Sequence, residues 1–186
     1  MARITVNETG NQPLILLATF ANNIIPNANV IANTVAVGNI NGANVLSVGC
    51  LQDVTITAST GVFSWTDFCS IDTNKLPTPA DNEISTNVVV DDTKWFGSNA
   101  SATVNDPASE QGMAKLSQNK IPVQFLVSWN NSNIADVANG NVANGTYWSS
   151  GIGYITNLAP TVSPDAPVWV SPMTLAVDGT MYSGNG

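Results

Sequence analysis

The chain has 186 residues, 44% hydrophobic and only 10% charged, with 5 Lys and Arg against 13 Asp and Glu and no histidine. Its length suits one domain with a sizeable core, and a net charge of −8 excludes the basic stripe needed to grip nucleic acid or an anionic membrane. Without histidine, Ser-His-Asp and Cys-His catalysis and histidine-ligated zinc are excluded as well.

In chain order, the opening Met1-Ala2-Arg3-Ile4-Thr5-Val6-Asn7-Glu8 carries no targeting signal, and residues 3–6 predict a strand. Residues 14–20 predict a second strand, too short for a membrane helix of ~20 residues. Residues 27–48, rich in Asn, Ala, Val and Gly, read as strand–turn–strand or a long projecting loop, with Asn41-Gly42 as a hairpin turn pair. Residues 54–58 and 84–90 read as strands. The stretch 59–83, with Gly61 and Thr78-Pro79, reads as a loop long enough to be functional or to pack against a partner.

One helix is expected over residues 108–117. Asp106 would cap it, Pro107 would take its first position, Gly112 is its weak spot, and Asn119 suits its exit. Residues 121–129 alternate Ile121, Val123, Phe125, Val127 and Trp129 with smaller or polar side chains, which predicts a half-buried strand. Pro122 points to an edge at its start. Residues 147–157 set Trp148, Ile152 and Tyr154 against a small face of Ser149, Gly151 and Gly153 that invites close packing. A Pro-punctuated connection over 158–167 leads to a last strand over 167–178, ended by Asp178-Gly179. The expected fold is a single mainly-β domain over residues 1–186, a β-sandwich or partly rolled barrel with one short flanking α-helix.

No catalytic constellation, phosphate loop or dinucleotide pattern is present, so no catalytic residue and no cofactor is assigned. Asp91-Asp92 can act as an acid–base pair or hold calcium, but their spacing is not that of an EF-hand, and solvated carboxylates closing a strand are the plainer reading. Asp81 with Glu83 is equally unspecific. Cys50 and Cys69 can bridge only if strands bring their Cα atoms within ~7 Å; otherwise they are thiols. The Asn-x-Ser/Thr sequons at Asn7, Asn99, Asn130 and Asn144 are chance products of an Asn-rich chain. Trp65, Trp95, Phe96, Trp129, Trp148 and Trp169 are candidate core or subunit-contact anchors, the alternative for the tryptophans being a sugar-stacking platform. A charge-poor surface, polar through Asn, Thr and Ser, lets copies pack without burying unpaired charge.

Three segments carry a resemblance: Gly61-Val62-Phe63-Ser64-Trp65 leading to Lys75-Leu76-Pro77-Thr78-Pro79-Ala80; the strand from Ile84 ending Asp91-Asp92-Thr93-Lys94-Trp95-Phe96-Gly97; and Gly151-Ile152-Gly153-Tyr154-Ile155-Thr156-Asn157-Leu158 before the closing strand. Over residues 54–179 their order resembles the major tail tube proteins of siphoviruses. The resemblance implies a β-sandwich subunit with a flanking helix. Six copies would form a ring whose inner sheets join in one barrel, and rings would stack into a hollow tube through a long loop and the terminal segments. It implies a virion tail location after assembly in the host cytoplasm. Its partners would be copies of itself, a tape-measure protein, a tail terminator and a distal tail protein, with DNA passing through without specific binding. Asp91 and Asp92 become candidate lumen or surface acids. The alternatives are a capsid decoration or other virion β-protein, a carbohydrate-binding β-sandwich, and a carboxylate-pair glycosidase.

Overall fold

The computed structural model describes residues 13–40, 45–49, 51–65, 73–130, 146–161 and 168–185. The strand expected over 3–6, the Asn41-Gly42 turn, Cys50 and Cys69 lie outside these residues.

The protein is mainly antiparallel β. Its strands are β1 (Leu14–Thr19), β2 (Leu46–Val48), β3 (Leu51–Trp65), β4 (Asn74–Val89), β5 (Val123–Ser128), β6 (Tyr147–Ile155), β7 (Val170–Val177) and β8 (Tyr182–Asn185). They form one sheet in the order β2-β1-β5-β6-β7-β4-β3, with β8 pairing the start of β6. The strands at the two ends of that order, β2 and β3, are separated in sequence only by residues 49 and 50. Three Cα steps span at most ~11 Å, whereas six strand spacings of a flat sheet span ~29 Å. The sheet therefore curls until its ends approach, yet β2 and β3 do not pair. This is the partly rolled form of the expected fold, left unclosed.

The inner face carries the main core. Ile15 and Leu17 of β1, Val123, Phe125 and Val127 of β5, Ile84 and Val88 of β4, and Met173 and Leu175 of β7 all face it. Two helices cover that face: α2 (Asp92–Phe96), through Trp95, and α3 (Ala108–Gln118), through Ala108, Met113 and Leu116. The small face expected on β6 is used as predicted: a Cβ at Gly151 would meet the ring of its cross-strand partner Phe125 at 2.7 Å.

On the outer face, Leu14, Leu16, Leu126 and Trp148 form a second cluster with Ile40. The segment expected as strand–turn–strand covers them instead. Its described residues hold helix α1 (Ala28–Asn33), a 3-10 turn over Val35–Val37, and only the short β2 as strand. Local hydrogen bonds favour helix there: the Val30 amide donates to the Asn27 side chain at 3.1 Å, and Asn33 Nδ2 donates to the Asn29 carbonyl at 2.8 Å. Longer-range bonds tie the segment down, with Ser150 Oγ donating to the Val35 carbonyl and Gln124 Nε2 to the Asn39 carbonyl. As a result β5 is buried on both faces, not one. It lies between β1 and β6, so Pro122 marks no edge; it precedes the first ladder residue and removes no ladder bond.

Among the described residues three α-helices stand where one was expected. In α3 the cap is Pro107, one residue later than predicted, because its ψ of 153° is still extended. Asp106 turns back to accept from the amide and Oγ1 of Thr103. Gly112, at φ 72° and ψ 166°, bends the helix, and Asn119 closes it.

Candidate assembly interface

The described residues of the loop predicted over 59–83 form a two-stranded arm instead. Beyond Asn82 no third strand covers it among the described residues, since β7 pairs β4 only from Glu83 to Val89. The pairing of β3 with β4 continues from Ala58↔Asn82 out to Trp65↔Asn74, a reach of roughly 25 Å. Thr, Val and Phe favour the extended backbone. Pro79, read from sequence with Thr78 as a loop signal, and Pro77 both fit because the second edge of β4 is open there among the described residues. A bulge between Thr60 and Val62 sits beside Gly61.

One face of the arm is apolar. Phe63 and Trp65 lie two residues apart with ring centroids at 5.8 Å, and Leu76 pairs directly with Phe63. Phe63 is 58% and Trp65 42% exposed, and Leu76 is also exposed. A two-stranded ribbon is marginal alone in water, and uncovered aromatic clusters mark contact surfaces. The free edge of β3 adds a 15-residue strand that pairs only with β4 among the described residues. Its run Val54-Thr55-Ile56-Thr57-Ala58-Ser59-Thr60 holds no Pro, Lys or other charge to discourage pairing.

A second uncovered apolar site lies at the other end of β4. Val90, Asp92, Phe96, Val168 and Trp169 line a cleft of about 310 Å³. The Val90 amide donates to the Trp169 carbonyl at 2.9 Å, which holds the two walls together. Phe96 is 58% and Trp169 46% exposed. On the rim, Asp91 caps α2: Oδ1 accepts from Thr93 Oγ1 at 2.6 Å, the Thr93 amide at 3.0 Å and the Lys94 amide at 3.3 Å. The Thr93 hydroxyl, with those amides and the Lys94 charge, holds its carboxyl below the ordinary value. The acid pair thus starts a helix after the strand, a capping pattern present in Asp91-Asp92-Thr93-Lys94 that the strand reading passed over. Asp81 and Glu83 sit exposed along β4. Among the described residues no group of three or more His, Cys, Asp or Glu could hold a metal, and no helix is long and apolar enough to cross a membrane.

The six aromatic candidates divide. Trp95 is in the inner core, and Trp148 lies on the outer face between Gly38 and Gly184. Trp129 is partly buried and donates Nε1–H to Ser149 Oγ at 3.1 Å. Trp65, Phe96 and Trp169 remain exposed, Trp65 on the arm and the other two in the cleft. Among further exposed apolar residues, Val30 and Val37 belong to the outer-face segment and Ile24 and Ile25 lie just before it.

No protein-family model and no curated protein sequence matches the chain. Among solved structures it is similar to a chain of the tail of an empty gene transfer agent particle, determined by helical refinement with C6 symmetry. Identity is 12% and the TM-score 0.50, covering 78% of this chain and 91% of that one. It also matches a chain of the native gene transfer agent virion, at 12% identity and TM-score 0.49 over 75% and 88%. A chain of the anti-feeding prophage baseplate matches at 8% identity and TM-score 0.46 over 98% of both. The first of these shows a shared fold.

Proposed function

We propose that this chain is a non-enzymatic structural subunit of a phage-like virion tail, forming rings of six that stack into a hollow tube through which DNA leaves. The carrying observation is the unsealed border of the sheet: among the described residues β3 leaves a 15-residue edge without a partner on one side and projects an apolar arm beyond the core. In a lone monomer such an edge invites aggregation, whereas a closed ring of copies completes it. The shared fold with a tail-particle chain supports the tail over a decoration role. A net charge of −8 suits a conduit from which phosphate must slide free. Tail terminator, distal tail and tape-measure proteins are the partners this role calls for, with assembly in the host cytoplasm.

Negative-stain microscopy of the purified protein tests the reading. Six-fold rings or hollow tubes are expected. A monodisperse monomer at high concentration in sedimentation, with no assembly on an initiating tail complex, counts against it.

A further inference from the structure

Two uncovered apolar clusters stand at opposite ends of one strand. β4 runs 16 residues from Asn74 to Val89, about 50 Å at ~3.3 Å per residue. Phe63, Trp65 and Leu76 project at its first end, while the cleft of Val90, Asp92, Phe96, Val168 and Trp169 opens just past its last. The span separates the two clusters within a chain, so neither covers the other.

We infer that the cleft between Phe96 and Trp169 is the socket for the Phe63–Trp65 arm of a second copy, a deepening that rests on the tail-tube reading. Several features favour this occupant. The arm presents stacked aromatic rings, and the cleft presents two exposed aromatic walls with room for such a side chain between them; burying aromatic pairs against each other is how contact anchors are built. Pro77 and Pro79 lack amide hydrogens, so the arm edge of β4 is poorly suited to strand addition and contact falls to side chains. Lys75 neighbours the arm cluster and Asp91 and Asp92 rim the socket. Asp67 and Asp72 lie outside the described residues; the apolar fit of the rings carries the contact and charge only trims it. Knob and socket differ and point apart, so the contact is heterologous. Each copy inserts into one neighbour and receives another, and because knob and socket stand at opposite ends of β4, the contact displaces successive copies along that strand. On this inference the socket is the axial, ring-to-ring contact, because knob and socket are set apart along β4 while the free β3 edge lies at the side of the sheet and closes a ring.

The test compares wild type with an arm variant (Phe63→Ser with Trp65→Ser) and a socket variant (Phe96→Ser with Trp169→Ser), all at exposed positions. Circular dichroism checks the fold of each. Both variants are expected to keep six-fold rings but to lose tubes, with ring–ring association weakened by at least roughly 30-fold. Mixing the two is expected to give short stacks, because each mixture retains one intact arm and one intact socket. A Phe63→Cys, Phe96→Cys chain in a Cys50→Ser, Cys69→Ser background is expected to give a ladder of disulfide-linked multimers from preformed tubes. Tubes of wild-type length from the socket variant, with no ladder, overturn the inference while leaving the tube reading intact, and place the arm on another surface or another tail protein. Loss of rings along with tubes, in variants that still fold, overturns the axial assignment. Wild type that forms neither rings nor tubes defeats the tube reading itself, and the socket with it.

Discussion

Gly97 and Gly112 meet backbone to backbone where α2 ends against α3. Gly97 has φ 82° and ψ 165°, Gly112 φ 72° and ψ 166°, a region open essentially to glycine alone. A Cβ on either would collide with the other strand of this crossing: with the Glu110 and Gln111 backbone from Gly97, and with that of Trp95 to Gly97 from Gly112. Gly112→Ala or Gly97→Ala should each cost about 3 kcal/mol or more, read as a lowered midpoint in denaturant unfolding. Asp91 acts more gently because it is exposed. Its carboxyl is held below 3.8 chiefly by Thr93, so the folded state favours the charged form. That contribution is complete above the ordinary carboxylate value and is lost as pH falls through the lowered one. Asp91→Ala should therefore destabilise by at most about 1 kcal/mol at pH 7, and the gap from wild type should narrow as pH drops below 3.8. An unchanged gap in acid unfolding experiments would rule out the carboxylate as its source.

At the scale of elements, β5 and the arm are opposites. β5 is paired on both sides and buried on both faces, with Phe125, Leu126 and Val127 fully enclosed. The arm beyond Asn82 is a two-stranded ribbon with exposed side chains. Local opening free energy follows burial and pairing. Hydrogen exchange on the unassembled chain should find β5 and the second half of β6 slowest, and residues 58–65 and 74–82 fastest. Assembly should slow the arm most. The strong alternation over residues 121–129 made β5 legible, because period-two spacing commits a backbone to extended form. Its second buried face was not legible, since that depends on the α1 segment arriving from more than 80 residues away: Asn39 meets Gln124. The arm was misread for the opposite reason. Its Gly61, Pro77 and Pro79 are loop signals in isolation, and the bulge of β3 at Gly61 and the open second edge of β4 at the prolines make them compatible with strands.

For the whole molecule, the acid excess and the unsealed border act together. Five cations spread over 186 residues provide no cluster to replace phosphate counterions, so tubes should retain no duplex DNA in a mobility-shift or co-sedimentation assay even at low salt. Tight retention would contradict a conduit role. Composition alone determined this sign of charge, the absence of histidine chemistry and the mainly-β character, because these are sums over residues or strictly local periodicities. The α3 helix and the strand after it were local too, and a one-residue shift of the cap did not alter them. Which aromatics would be core and which exposed was decided only by the tertiary structure: Trp95 and Phe96 are neighbours in sequence, yet one is buried and the other lines a cleft. The curl of the sheet, the reach of the arm and the placing of an apolar cleft at the far end of β4 were decided there as well. Each depends on which distant segments pack against a given face, and a side chain's own spacing carries no record of what will cover it.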